Sequence, residues 1–116
     1  MHITNFAEAG QFEPRKIAAV LRTSAEEIAL TVGLGKDALQ RRARSGSDKT
    51  QRRLRELVEV LNKVEPRFGS ELMAYAWYRS EPLPGVDGRT AMQLVQEGNA
   101  QQVLEYIDAV DAGVFA

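Results

Sequence analysis

The 116-residue chain contains no cysteine and only one histidine, His2. The absence of cysteine excludes a disulfide framework, thiolate catalysis and any zinc site with sulfur ligands. The acidic residues fall on the surfaces of predicted helices, without a histidine or cysteine partner and without a glycine-rich phosphate loop. We therefore expect a protein that is not an enzyme and that uses neither a metal nor a cofactor.

Long apolar segments are also missing. No apolar run approaches the roughly 20 residues that a bilayer-spanning helix needs, and the first residues lack the apolar core of a signal peptide. These absences predict a cytoplasmic protein with no membrane partner. The hydrophobic content of 44% is nevertheless normal for a folded protein, and the length suits one compact domain or two small ones.

Basic residues are concentrated in the middle of the chain. Eight of the 15 lie between Lys36 and Arg55, and residues 35–56 carry a net charge of +5, against −1 for residues 1–34 and −5 for residues 57–116. Cations grouped on a short helical stretch can neutralise phosphates and release counterions, which is the main source of sequence-independent DNA affinity. The alternative is an ordinary solvated surface.

A helix-turn-helix pattern surrounds the start of this basic segment. Ser24, with Glu27 three residues later, has the spacing of a capping box and predicts a helix over residues 25–31. Gly33 suits a turn with positive φ at the end of that helix. A basic helix is then expected from residue 35 or 36 to residues 45–46. A short helix, a tight turn with glycine and a basic second helix are typical of DNA-binding helix-turn-helix domains.

The outward side chains of the basic helix are expected to contact DNA. Arginine can pair bidentately with guanine and glutamine with adenine, whereas lysine and serine are suited to phosphates. The predicted DNA-binding residues are Ser24, Lys36, Gln40, Arg41 and Arg44. The predicted inward residues are Ile28, Ala29, Leu34, Ala38 and Leu39. A helical hairpin with solvated polar residues is the alternative interpretation.

The remainder of the chain is also predicted to be helical. A helix from residue 49 or 50 to residue 64 carries an apolar stripe formed by Leu54, Leu57, Val58, Leu61 and Val64. The sequence Glu65-Pro66 is expected to end it, because the residue before a proline avoids helical geometry. Arg52, Arg53 and Arg55 either reach the DNA backbone or remain in water. Further helices are predicted after the N-caps Ser70 and Thr90 and over residues 99–112.

The second half contains an ordered series of short motifs. Trp77 lies in a helix, a loop closes on Gly88-Arg-Thr90, a short leucine-containing helix follows, and the last helix ends in Gly113-Val-Phe-Ala116. This order resembles the toxin-binding region of Xre/MbcA/ParS-type antitoxins, and the preceding helix-turn-helix matches that family's N-terminal part. Ala91 stands where many members have proline after this Gly-Arg-Thr segment.

The resemblance implies an all-α fold with an N-terminal helix-turn-helix DNA-binding domain, residues 1–65, and a small helical toxin-binding and dimerisation domain, residues 66–116. It implies a partner toxin of the RES type, which degrades NAD or transfers its ADP-ribose to a protein. The antitoxin is expected to lodge its C-terminal segment in the NAD-binding cleft of the toxin. A homodimer that represses its own operon by binding operator DNA is also implied.

The expected toxin-binding residues are Arg89, Gly113, Val114, Phe115 and Ala116. Val114 and Phe115 offer apolar bulk beside a terminal carboxylate, and a carboxylate can pair strongly with arginines of a partly buried NAD site. Two alternatives are that Phe115 folds back on its own domain and that Arg89 caps its loop near Asp87. Trp77 is expected in the core or at the dimer interface. The alternative function is a stand-alone helix-turn-helix regulator, whose second half serves only to dimerise.

Overall fold

The computed structural model describes residues 7–8, 11–35 and 47–113. Two short strands pair in antiparallel register, and six helices follow within the described residues. The elements are β1 (Ala7–Glu8), β2 (Gln11–Phe12), α1 (Pro14–Val20), α2 (Ala25–Thr31), α3 (Asp48–Phe68), α4 (Glu71–Ser80), α5 (Ala91–Gln96) and α6 (Ala100–Asp111). The expected all-α fold class is confirmed. The basic helix predicted near residues 35–46 falls on residues 36–46, which lie outside the described residues.

Side-chain caps start α2, α4 and α5 as the local sequence predicts. Ser24 Oγ accepts the Glu27 N–H at 3.2 Å, and Ser70 Oγ accepts the Met73 N–H at 3.1 Å. Thr90 forms a complete capping box with Gln93, because each side chain accepts the other's backbone N–H. These hydroxyl and amide oxygens satisfy backbone donors that have no partner inside the helix.

The predicted end of α3 at Glu65-Pro66 is wrong. The helix continues through Pro66 to Phe68 and ends at Gly69, whose φ is 78° and whose N–H donates to the Glu65 carbonyl at 2.8 Å. A proline in the last turn removes one backbone hydrogen bond, while its fixed φ remains helical. The extra turn also places the Phe68 ring 6.4 Å from that of Trp77 in α4, between ring centroids. The proposed domain boundary between residues 65 and 66 therefore falls inside a helix.

The hairpin of β1 and β2 was not expected from the sequence. Gln51, in the first turns of α3, holds its second strand by two hydrogen bonds. The Gln51 side chain accepts the Phe12 N–H at 2.6 Å and donates to the Phe12 carbonyl at 3.0 Å. A side-chain amide can thus take the place of a neighbouring strand, because it offers one donor and one acceptor.

A single core lies around α3, which packs against α4, α5 and α6. The predicted stripe of α3 is confirmed, since all five of its members are buried. Ile28, Ala29 and Leu34 are buried as predicted, and α2 packs directly against α5. Ion pairs between Lys63 and Asp108 and between Arg67 and Asp111 connect α3 to α6 at the surface. The N-terminal and C-terminal helices therefore share one hydrophobic cluster.

The two sides of α4 have different surroundings. Ala74, Tyr75 and Tyr78 face the core, whereas Leu72 and Met73 are 36% and 56% exposed. Trp77 is half-buried and packs on the margin of the core. Three large apolar side chains thus share the solvent side of one helix.

Candidate functional site

The loop between α4 and α5 forms a closed turn. The Leu83 N–H donates to the Arg89 carbonyl at 2.8 Å, and the Arg89 N–H donates to the Val86 carbonyl at 3.1 Å. Gly85 and Gly88 have φ values of 81° and 75°, and Asp87 has a φ of 56°. Such left-handed positions favour glycine and tolerate aspartate. The loop therefore has a definite shape that its sequence can adopt without large strain.

An apolar groove of about 340 Å³ lies between this loop and α6. Leu83 and Val86 form part of one wall, and Tyr106 and Ala109 of α6 form part of the other. Gln102 and Glu105 add polar groups. An apolar cleft with a few polar side chains is the common form of a binding site. This groove was not predicted from the sequence. The signal for it was the run Leu83-Pro-Gly-Val86, which lies opposite the half-buried side of the last helix.

Arg89 lies at the end of the loop, near the start of α5. Its Nε atom donates to Glu97 Oε2 at 2.9 Å, and the two side chains are 45% and 43% exposed. One of the alternatives was that Arg89 caps its loop near Asp87, and the structure shows an ion pair with Glu97 at the C-terminal end of α5. The reason is that the loop and α5 bring residues 89 and 97 to the same side. The pair is solvated, so it contributes little to stability.

The last helix ends next to the groove. Gly113 is exposed, its φ is 84°, and its N–H donates to the Val110 carbonyl at 2.9 Å. A positive φ at this position changes the direction of the chain after α6. The other predicted toxin-binding residues, Val114, Phe115 and Ala116, lie outside the described residues.

In the N-terminal part, the structure describes one of the predicted DNA-binding residues. Ser24 is exposed and its hydroxyl caps α2. Lys36, Gln40, Arg41 and Arg44 lie outside the described residues, as do the inward positions Ala38 and Leu39. Of the three arginines early in α3, Arg52 and Arg55 are exposed, whereas Arg53 is half-buried and donates to the Val95 carbonyl of α5.

Glu56 of α3 has a buried carboxylate oxygen, Oε1, that accepts no hydrogen bond from the described residues. It is the one buried side-chain oxygen or nitrogen without a partner among them. Burial raises the pKa of the Glu56 carboxyl above its ordinary value, although Arg53 and Arg52 oppose this effect. Its surroundings disfavour the charged form because water is partly excluded.

The described residues offer binding surfaces and no metal site. They contain no cluster of three or more His, Cys, Asp or Glu side chains that could hold a metal ion. Nor does any of their helices have the length and apolar character needed to cross a bilayer. A shaped loop, an apolar groove and an exposed apolar helix side are features through which a small helical domain can bind another protein.

Residues 63–113 match the family of the antitoxin Xre/MbcA/ParS C-terminal toxin-binding domain. The match confirms the resemblance drawn from the motifs, and it supports an antitoxin role with a toxin protein as the partner. The matched region is somewhat less than half of the 116 residues. No curated protein and no solved structure gives a significant match.

Proposed function

We propose that this antitoxin inhibits a RES-type, NAD-using toxin by blocking the toxin's active site with the segment that follows α6. The family match supports toxin binding by residues 63–113, and Val114, Phe115 and Ala116 follow this region directly in the sequence. The positive φ of Gly113 supports the proposal, since the chain can turn away from the axis of α6 there. The apolar pair Val114-Phe115 suits a pocket that binds part of a dinucleotide.

Arg89 and the groove beside α6 supply a second contact area for the toxin. The ion pair of Arg89 with Glu97 is exposed at both ends. Exchange of Glu97 for a toxin carboxylate therefore costs little. The groove can accept an apolar side chain from the toxin surface, because its walls include Leu83, Val86 and Tyr106. The proposed toxin-binding residues are Arg89, Gly113, Val114, Phe115 and Ala116.

The test is NAD consumption by a co-expressed RES-type toxin, with and without the antitoxin. Removal of residues 113–116 is expected to abolish inhibition, while the groove and Arg89 preserve measurable co-purification. The matched control is Val20→Ala, which trims an exposed side chain of α1. Full inhibition by the truncated form would exclude the active-site block. If the protein never binds such a toxin, the alternative function, a stand-alone helix-turn-helix regulator, is favoured instead.

We also infer that the protein represses its own operon as a DNA-binding homodimer. The support is the local excess of basic residues and the helix-turn-helix pattern, with Ser24, Lys36, Gln40, Arg41 and Arg44 as proposed DNA contacts. Arg41→Ala and Arg44→Ala are expected to weaken binding to operator DNA, and added salt should weaken it steeply. Unchanged binding by both variants would place the DNA surface elsewhere. The matched control is Arg79→Ala, which removes an exposed cation from α4.

The homodimer proposal draws on the outer side of α4. Leu72, Met73 and Trp77 present apolar surface there, together with the small Ala76. In an antiparallel pair of α4 helices about a two-fold axis, Leu72 would oppose Trp77 of the other copy and Met73 would oppose its Ala76. Leu72 would therefore face the flat ring of Trp77, and Met73 would face the small Ala76. Such self-complementary contacts are what a two-fold interface needs.

A further inference from the structure

The surface around the groove beside α6 is acidic. Residues 81–113, which include the loop, α5 and α6, contain six acidic residues and one basic residue, Arg89. The last helix has no basic residue, and its acidic residues are Glu105, Asp108 and Asp111. This part of the chain therefore has a formal net charge of −5, which favours the approach of a cationic partner and disfavours an acidic one.

Two of the three carboxylates of α6 are already compensated within the protein. Asp108 pairs with Lys63 and Asp111 pairs with Arg67, and both cations belong to α3. Glu105 is exposed and forms neither an ion pair nor a side-chain hydrogen bond with the other described residues. Glu105 also lines the groove. The structure therefore leaves one carboxylate of α6 uncompensated, and that carboxylate lies beside an apolar cleft.

The groove is preformed and has an apolar base. Leu83 and Leu94 line it but are only 4% and 3% exposed, because they also belong to the core. The backbone hydrogen bond from Leu83 to Arg89 holds the loop, and the Asn99 N–H donates to the Leu94 carbonyl at 2.7 Å after α5. A partner that enters such a groove orders little of the protein, which favours binding. The volume of about 340 Å³ is close to the lower end of the roughly 300–1,000 Å³ of ligand sites, so it suits one large side chain.

We propose that the groove binds a segment of the toxin in which a large apolar side chain lies next to a lysine or an arginine. The apolar side chain enters between Leu83 and Tyr106, and the neighbouring cation pairs with Glu105. This inference rests on the toxin binding proposed above, and it names the chemistry of the toxin surface at the second contact area. The pair selects the partner, because an acidic side chain at the same place would meet a like charge.

Reversal of the charge at Glu105 tests the ion pair. Affinity of the full-length antitoxin for the co-expressed toxin is measured at about 0.15 M salt, where exposed charges more than about 8 Å apart are largely screened. Glu105→Lys is expected to bind at least tenfold more weakly, which corresponds to about 1.4 kcal/mol. Glu81→Lys is the matched control, because it makes the same change in net charge at an exposed residue that does not line the groove. Equal losses in both variants, or no loss in Glu105→Lys, would overturn the proposal.

Filling the groove tests the apolar contact. Ala109 is half-buried on the α6 wall, so Ala109→Leu places a larger apolar side chain in the cleft. This variant is expected to bind the toxin about tenfold more weakly, whereas Gln101→Leu, which adds apolar bulk on the exposed side of the same helix, should not change the affinity. Melting temperatures of both variants show whether the fold is intact. Unchanged toxin affinity in a folded Ala109→Leu variant would contradict the proposal.

A second substitution in the toxin identifies the cation. Each exposed lysine and arginine of the toxin is changed to glutamate in turn and is tested against Glu105→Lys. One of these toxin variants is expected to recover most of the lost affinity, since the two exchanged charges attract each other again. If none of them recovers affinity, the proposed ion pair does not exist.

Two other occupants of the groove would give different results. If a second copy of the chain filled it, Glu105→Lys and Ala109→Leu would change the mass of the free antitoxin in light scattering. If the protein's own last residues filled it, both substitutions would lose their effect on toxin affinity once residues 113–116 are removed. Either result would overturn the proposal. We expect an unchanged mass and the same loss of affinity in the truncated form.

The truncated form also separates this inference from the proposed active-site block. Full inhibition of NAD consumption by the truncated form would exclude the block, while a loss of affinity in Glu105→Lys would still support the groove contact. Retained affinity in Glu105→Lys would remove the groove contact and leave inhibition by the unaltered protein unaffected. An unaltered protein that binds no toxin would refute both.

Discussion

Gly33 and Gln96 approach so closely that no side chain fits between them, although 63 positions separate them in the sequence. A Cβ atom at residue 33 would lie 2.8 Å from the Gln96 carbonyl oxygen. The obstacle is backbone, which cannot rotate away as the end of a flexible side chain can. Two requirements therefore coincide at Gly33, a left-handed backbone and an absent Cβ.

Three glycine substitutions should separate these requirements. Gly33→Ala combines a positive φ with the clash, Gly69→Ala has a φ of 78° with open space, and Gly35→Ala has neither problem. We expect a loss of about 1–2 kcal/mol in the free energy of unfolding for Gly69→Ala, a larger loss for Gly33→Ala and almost none for Gly35→Ala. Thermal unfolding measures all three. Equal melting temperatures for the variants at residues 33 and 69 would contradict the close packing of α2 on α5.

Substitution of Ser24 by aspartate should separate helix capping from phosphate binding. Aspartate is as good an N-cap as serine, so Ser24→Asp should keep the stability of α2, while Ser24→Ala should lose about 1 kcal/mol. If Ser24 faces a DNA phosphate, the added negative charge should weaken DNA binding at low salt. Ser70→Asp is the matched control, because Ser70 caps α4 in the same way. Equal DNA affinity for both aspartate variants would remove Ser24 from the DNA surface.

A charge on the outer side of α4 should dissociate the proposed homodimer. Met73 is 56% exposed, so Met73→Glu adds no buried charge to the monomer fold. In the dimer the same carboxylate would be desolvated without a partner, which is strongly unfavourable. We expect a halved mass in light scattering with an unchanged melting profile at low protein concentration. Gln101→Glu, on the exposed surface of α6, is the control. An unchanged dimer mass for Met73→Glu would rule out this face as the interface.

Stability should depend on the ionisation of Glu56. Because burial raises the pKa of the folded carboxyl above the ordinary value of 4.5, the folded state binds more protons than the unfolded chain just above that pH. The free energy of unfolding therefore falls as pH rises from about 4.5 and becomes constant once the folded carboxyl has ionised.

Glu56→Gln should remove this dependence. We expect the variant to melt at a higher temperature than the unaltered protein at pH 7, with a difference that shrinks toward pH 4. Melting curves across this pH range provide the measurement, and Glu105→Gln on the exposed surface of α6 provides the control. A difference that grows as the pH is lowered would have the wrong sign for a raised pKa.

Much of the helical pattern was predictable because it depends on neighbours in the sequence. The caps at Ser24, Ser70 and Thr90 each involve a backbone N–H three residues ahead. The stripe of α3 follows the three- to four-residue repeat of a helix. The prediction that Glu65-Pro66 ends α3 was wrong, although it used the same local preferences. The helix makes one further turn after Pro66, and this turn brings Phe68 next to Trp77.

The candidate site was predictable only in part. The order of motifs around Trp77, Arg89 and Gly113 identified the toxin-binding family, and the matched region confirms it. The groove beside α6 and the partner of Arg89 were missed, since both depend on where the loop and α5 lie relative to other elements. The predicted contacts of Arg41, Arg44 and Phe115 stay predictions.

The sequence by itself determined where helices begin and which side of most of them is apolar, since hydrogen bonds and packing within a few residues decide both. Only the tertiary structure decided that Tyr78 and Gln96 donate hydrogen bonds to the last carbonyl groups of α2, that Arg89 pairs with Glu97 and that Met73 stays in solvent. These relationships depend on the packing of separate helices around α3. A periodic pattern within one segment does not contain this information, because these contacts form only when helices that are distant in the sequence pack together.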